Sequence, residues 1–276
     1  MAANSELMRV QAWRPLRGFG ALLHKENRAW WSTRRWWTNA LLWTGMLGGL
    51  VALVLWVLPT MAELAGDPSV AAAGGPLAFG LEMGRSLFFE LGTLALAIGV
   101  IVLWQDAIVD EKQSGVAEWL LAKPAARRSY ILAKLVAALL VVLLLMIALP
   151  ALAAYGLLSL RSGSPYPPAP FLAGLGIMTV HTLFYLTLTV MLGTLFGSRP
   201  PILGISLGVL LGGSLLASFL KPSVYITPWI MSKTAALAAS GQTMPPELMW
   251  PPLLFSALWC LIFVLIALAK FEKTEF

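Results

Sequence analysis

Acids and bases make up only 12% of this chain, and one stretch concentrates them. Asp106, Asp110 and Glu111 lead, Gly115 follows, Trp119-Leu120-Leu121 is closed by Pro124, and Arg127 and Arg128 come next. Acids ahead of a helix and cations behind it complement the partial charges of its ends, a positioning role. Glu90 and His181 interrupt apolar runs, where an ionisable group is costly. They are candidates for polar contacts along a pathway or for a proton relay. The plainer alternative lets Glu90 reach an interface and neutral His181 bond a neighbouring Thr or carbonyl. No H-E-x-x-H pair, no nucleophile with its base and no set of acids at one depth marks an enzyme. The phosphate loop G-x-x-x-x-G-K-S/T is absent too, Lys233-Thr234 lacking the preceding glycine. His24, His181 and Cys260 form no metal cluster, so no cofactor or metal is expected on this chain.

Composition sets the elements that must hold these residues. Of 276 residues 59% are hydrophobic, and the mean hydropathy is +0.80. Soluble domains average about a quarter charged residues, so this balance belongs to a polytopic membrane protein. A helical span needs about 20 mostly apolar residues. Six runs meet or approach that length, at 40–61, 86–104, 131–160, 171–196, 202–220 and 252–269. They are continuous Leu, Val, Ala and Gly without the alternation of barrel strands. The third is long enough to tilt and to kink near Pro150. The expectation is an all-α integral membrane protein, one transmembrane domain over residues 1–276. One cysteine excludes an intramolecular disulfide.

Six spans put both termini on one side. That side would hold 15 of the 19 Lys and Arg, seven of them in residues 1–39, against Arg85, Arg161, Lys221 and Lys233 opposite. Positive charge is retained in the cytoplasm, which places both termini and the 105–130 loop there and the chain in the cell (inner) membrane. The net charge of +6 then reflects topology, and no nucleic-acid partner is expected. Residues 1–39 show no short apolar core with a cleavage site, so the first span should be retained.

Two amphipathic segments flank the spans. In 16–31, Leu16, Phe19, Leu23 and Trp30 recur at helical spacing, with Arg17, His24, Lys25 and Arg28 on other faces. This reads as an elbow helix lying in the membrane surface among lipid headgroups, either a juxtamembrane anchor or also a contact for a cytoplasmic partner. From 108 to 122 a second helix is expected, with Ile108, Val109, Val116, Trp119 and Leu120 on its apolar side. Pro124 ends it, and Gly115 permits a bend or a close backbone approach. That loop is a mechanical part or a solvated connector.

The run Glu111-x-x-x-Gly115, Leu120-Leu121-x-x-Pro124-x-x-Arg127 and Tyr130-Ile131-Leu132-Ala133-Lys134 resembles the loop between the second and third spans of type-2 ATP-binding-cassette exporter permeases. Val116 and Ala133 stand where that family usually has Thr and Gly. The six-span layout and the basic helix before span one extend the resemblance over nearly the whole chain. It implies a permease paired as a homodimer and driven by two copies of a separate ATPase, which would carry ATP and Mg. Residues 110–128 would dock in a groove of that ATPase: Leu120 and Leu121 insert, Glu111 and Arg127 meet the rim, and Asp110, Gly115, Trp119, Pro124 and Arg128 complete the coupling set. An extracytoplasmic accessory protein would have only short outer elements to dock on.

Gly204, Gly208 and Gly212 form a smooth stripe, and Gly45, Gly48 and Gly49 a matching patch in span one. Small residues let helices approach closely in lipid, either within the subunit or across the dimer seam that the resemblance implies. The function expected is that of an exporter permease. The other classes are a non-transporting membrane anchor or sensor for an ATPase, and an integral-membrane enzyme. No motif selects a cargo.

Overall fold

The computed structural model describes residues 16–122, 125–213, 215, 219, 221–242 and 245–273, with Leu121, Lys221 and Pro222 by backbone only. Among them all regular structure is helical. α1 (Phe19–Trp31) precedes α2 (Arg35–Leu64), a short α3 (Pro68–Ala72) and α4 (Pro76–Trp104). Two brief helices, α5 (Val109–Gln113) and α6 (Val116–Leu121), lead to α7 (Arg127–Val141). α7 continues through a π-helical stretch, Val142–Ala148, into α8 (Leu149–Ser162). Then come α9 (Pro168–Leu195), α10 (Arg199–Leu207) with a second π-helical stretch (Gly208–Gly212), α11 (Met231–Ala239) and α12 (Pro246–Glu272).

Five helical runs are long and apolar enough to cross a bilayer: Arg35–Leu64, Pro76–Gln113, Arg127–Ser162, Pro168–Leu195 and Pro246–Glu272. The chain is a helical multi-pass membrane protein. The remaining expected run, 202–220, is described as a shorter apolar helix, Arg199–Gly212; residues 214, 216–218 and 220 lie outside the described ones.

Helices in lipid gain little from hiding apolar surface, so close packing and internal polar contacts must hold them together. α9 is apolar on all sides and takes the centre, against α4, α10, α11 and α12. α2 and α4 meet on glycines that the sequence pattern did not single out. Trp43 lies against Gly99, and a Cβ on Gly84 would stand 2.9 Å from Leu55 Cδ2, so a side chain there would have to displace Leu55. Phe171 of α9 gathers Phe89 and Tyr155 edge-on at 5.2 and 5.3 Å between ring centroids. Each such pair contributes about 1 kcal/mol. α11 is drawn into the protein, with Ala235 and Ala239 buried against α4 and α9.

Ahead of Pro150, where a kink is expected, the helix changes register. Proline offers no N–H to the carbonyl four residues back, and the preceding turns widen to π register, which accommodates the missing bond. α2 and α12 keep broad apolar faces outward, with Leu41, Leu53 and Val57 on one and Leu254, Leu258 and Leu265 on the other. Lipid or another apolar helix must cover them.

Candidate functional site

The acidic stretch does not form the expected unbroken helix over 108–122. Gly115 adopts φ 71°, a left-handed conformation that side-chain-bearing residues rarely take, and it separates α5 from α6. The break gives the segment two arms at an angle set by backbone geometry. Glu111 and Lys112 of α5 turn toward the protein, and α6 carries the exposed Val116, Glu118 and Trp119.

Glu111 on α5 organises the first cluster. Its Oε1 receives Lys25 Nζ at 2.6 Å and lies 3.0 Å from Lys134 Nζ, while Oε2 accepts the Tyr130 hydroxyl at 2.6 Å. Glu26 Oε1 is 3.1 Å from both ammonium groups. Lys134 is 7% exposed, so its charge would be prohibitive without these two carboxylates. Burial alone would lower the pKa of Lys25, but the Glu111 and Glu26 carboxylates outweigh it and hold the ammonium above its usual range. Trp30 of α1 stacks on Trp104 at 5.5 Å, and Tyr130 lies flat on Phe271 of α12 at 4.9 Å.

Neighbouring side chains extend the ties to other helices. Lys112 Nζ donates to the Gly193 and Thr194 carbonyls, both at 3.0 Å. These belong to the last turn of α9, where carbonyls lack helical partners and a cation is favoured. Gln113 Nε2 donates to the Gly197 carbonyl at 2.8 Å. Asp110 takes a two-pronged bond from Arg199 at the start of α10, at 3.1 and 2.6 Å. Arg127 donates to the Glu272 carbonyl at 2.7 Å, and Arg128 pairs with the Glu272 carboxylate at the end of α12. Ala126 N–H donates to the Arg17 carbonyl at 2.9 Å. Residues 110–128 are thus bonded to α1, α7, α9, α10 and α12.

Of the residues expected to meet a partner, Asp110, Glu111, Arg127 and Arg128 are engaged inside the chain. Glu111 in particular is not at a rim: both its oxygens are taken. Leu120 packs against the core, whereas Trp119 is 61% exposed and Val116 is exposed beside it. The Leu121 side chain and Pro124 lie outside the described residues.

Glu90 and His181 come together. Both line a cavity of about 380 Å³ bounded by α4, α9, the second π-helical stretch and α11. The glycines divide. Gly48 packs in ordinary contact with Ala153, its Cβ position 3.6 Å from that of Ala153. Cβ atoms at Gly45, Gly49, Gly204, Gly208 and Gly212 would meet nothing within 4 Å, so these glycines make no tight seam among the described residues. No group of three His, Cys, Asp or Glu suited to a metal ion occurs among the described residues.

A family profile described as a protein of unknown function (DUF2705) matches residues 78–276. That is 199 of the 276 residues, and the chain belongs to this family. The matched region begins near the start of α4 and takes in the 105–128 segment and the cavity. A search of curated proteins gives no match.

Proposed function

We propose that the chain is the permease subunit of an ATP-binding-cassette exporter, with six spans and both termini cytoplasmic in the inner membrane. Two copies form the path, and two copies of a separate ATPase bring ATP and Mg²⁺; the chain itself performs no chemistry on nucleotide. The observation that carries this reading is the set of ties from residues 110–128 to five helices. A push on α6 passes through Gly115 and the charged cluster to α7, α9, α10 and α12 together, as coupling to a soluble motor requires. The exposed Val116 and Trp119 supply the apolar contact, with Leu120 as the hinge against the core. The loop's resemblance to exporter permeases supports the same assignment. The outward glycines at 45, 49, 204 and 208 suit a close seam with a second copy.

In the test, the tagged chain is co-expressed with the ATP-binding-cassette ATPase encoded nearest to it. Wild type should retain that ATPase through purification, and Trp119→Asp should lose most of it while keeping the same size-exclusion profile. A cysteine at Ser114, in a Cys260→Ser background, should react with a membrane-impermeant maleimide only once the cytoplasmic face is opened. Labelling from outside intact cells, or retention unaffected by Trp119→Asp, would remove the assignment.

A further inference from the structure

We propose that the cavity between α4, α9 and α11 binds the head of a zwitterionic amphiphile, a phosphatidylethanolamine-like lipid, whose chains remain outside the protein. The site differs from the coupling region and needs no ATPase to operate. Two of its lining groups are polar, buried and without a protein partner. His181 is 4% exposed and Tyr185 0%, yet neither His181 Nδ1 nor the Tyr185 hydroxyl makes a hydrogen bond to the protein. Their rings lie 5.0 Å apart on successive turns of α9, and both residues line the cavity. Polar atoms at such depth are costly unless a ligand satisfies them.

Charge decides the class of ligand. Glu90 from α4 and Lys233 from α11 face the same space, and neither has an ion-pair partner among the described residues. A simple anion would satisfy Lys233 and meet Glu90 as a like charge; a simple cation would do the reverse. A molecule with an ammonium and a phosphate satisfies both, and the Tyr185 hydroxyl can donate to a phosphate oxygen. Size and greasiness supply the rest. About 380 Å³ accommodates a headgroup but not two acyl chains. Leu91 and Leu211 line the same cavity and are about half exposed on the outside of the chain, giving the tails an apolar exit.

The far wall is built with care. Val209 lies in the π-helical stretch, and its oxygen accepts both the Gly213 backbone N–H and the Trp229 indole N–H, the latter at 2.9 Å. Gly213 lies directly against that indole, and a side chain there would displace it. The wall therefore keeps its shape without a ligand, as preformed sites do.

The full chain is purified into detergent and exposed to phosphatidylethanolamine with a diazirine in one acyl chain, then to the matching phosphatidylglycerol. Peptide mapping after illumination should place the ethanolamine probe on the segments containing Leu91 or Leu211. Glu90→Gln and Lys233→Gln should each lower that labelling about ten-fold, the scale of one charge-assisted hydrogen bond. Tyr185→Phe, which removes one oxygen and leaves the fold, should lower it about three-fold. Equal labelling by the glycerol probe would mean general lipid contact and would end the proposal. So would labelling that all three variants leave unchanged.

Discussion

Two polar clusters sit at different depths in this protein and are finished to different degrees. Around Glu111 the charged groups are paired: Lys25 and Lys134 meet carboxylates, Tyr130 donates to one, and Lys112 closes the end of α9. Around Glu90 and His181 the polar groups face a cavity, and two buried atoms have no protein partner. A satisfied network is rigid because each partner restrains the next, whereas an unsatisfied one keeps its capacity for something that arrives. On the two proposals, the contrast separates a part that transmits force from a part that receives a ligand.

Removal of the centre of the first cluster should give the largest effect. Glu111→Ala leaves Lys134 with Glu26 alone and Tyr130 without an acceptor, and should cost about 3–5 kcal/mol of stability. Chemical unfolding of the purified protein in detergent reads this, and a loss under about 1 kcal/mol would mean that the cluster is not what holds α5 to α7. A matched pair of hydroxyl deletions sharpens the contrast. Tyr130→Phe should cost about 2 kcal/mol, because it removes a hydrogen bond to a charged group. Tyr185→Phe should stay within about 0.5 kcal/mol of wild type or raise stability, since its oxygen bonds nothing in the protein. Equal costs for the two would erase the distinction between the clusters. The smallest change is expected at Arg199→Ala. Its pairing with Asp110 is exposed and screened by salt, so the unfolding curve should overlay that of wild type.

The apolar runs made most of the architecture legible, because runs of this length have few other uses. Pro150 also announced its irregularity, since a missing N–H is a local fact. The acidic stretch was readable as a special segment, and Gly115 as its weak point, but not the break into two helices. Its continuity depended on whether tertiary bonds would favour a left-handed turn there, and the bonds of Lys112 and Arg199 lie some 80 residues away in sequence. Lys134 carried a signal that could have found the first cluster: a lysine inside an apolar run must be paired. Its partner Glu26 was hidden because it sits on a surface helix, where charges ordinarily face water. Which glycines pack within the chain was hidden for a similar reason. Spacing identifies a smooth face, yet Gly84 and Gly99 meet a neighbour while Gly204 and Gly208 do not. No local pattern distinguishes the two.

Composition and periodicity alone determined that this chain is a bundle of membrane helices and that one loop concentrates its charge. These follow from local chemistry, the cost of placing polar groups in hydrocarbon, which each segment meets by itself. Only the tertiary structure decided which charges meet, which glycines are covered and that Glu90, His181 and Lys233 share one cavity. Those outcomes depend on the rotation of each helix about its axis, and that angle is set by neighbours distant in sequence.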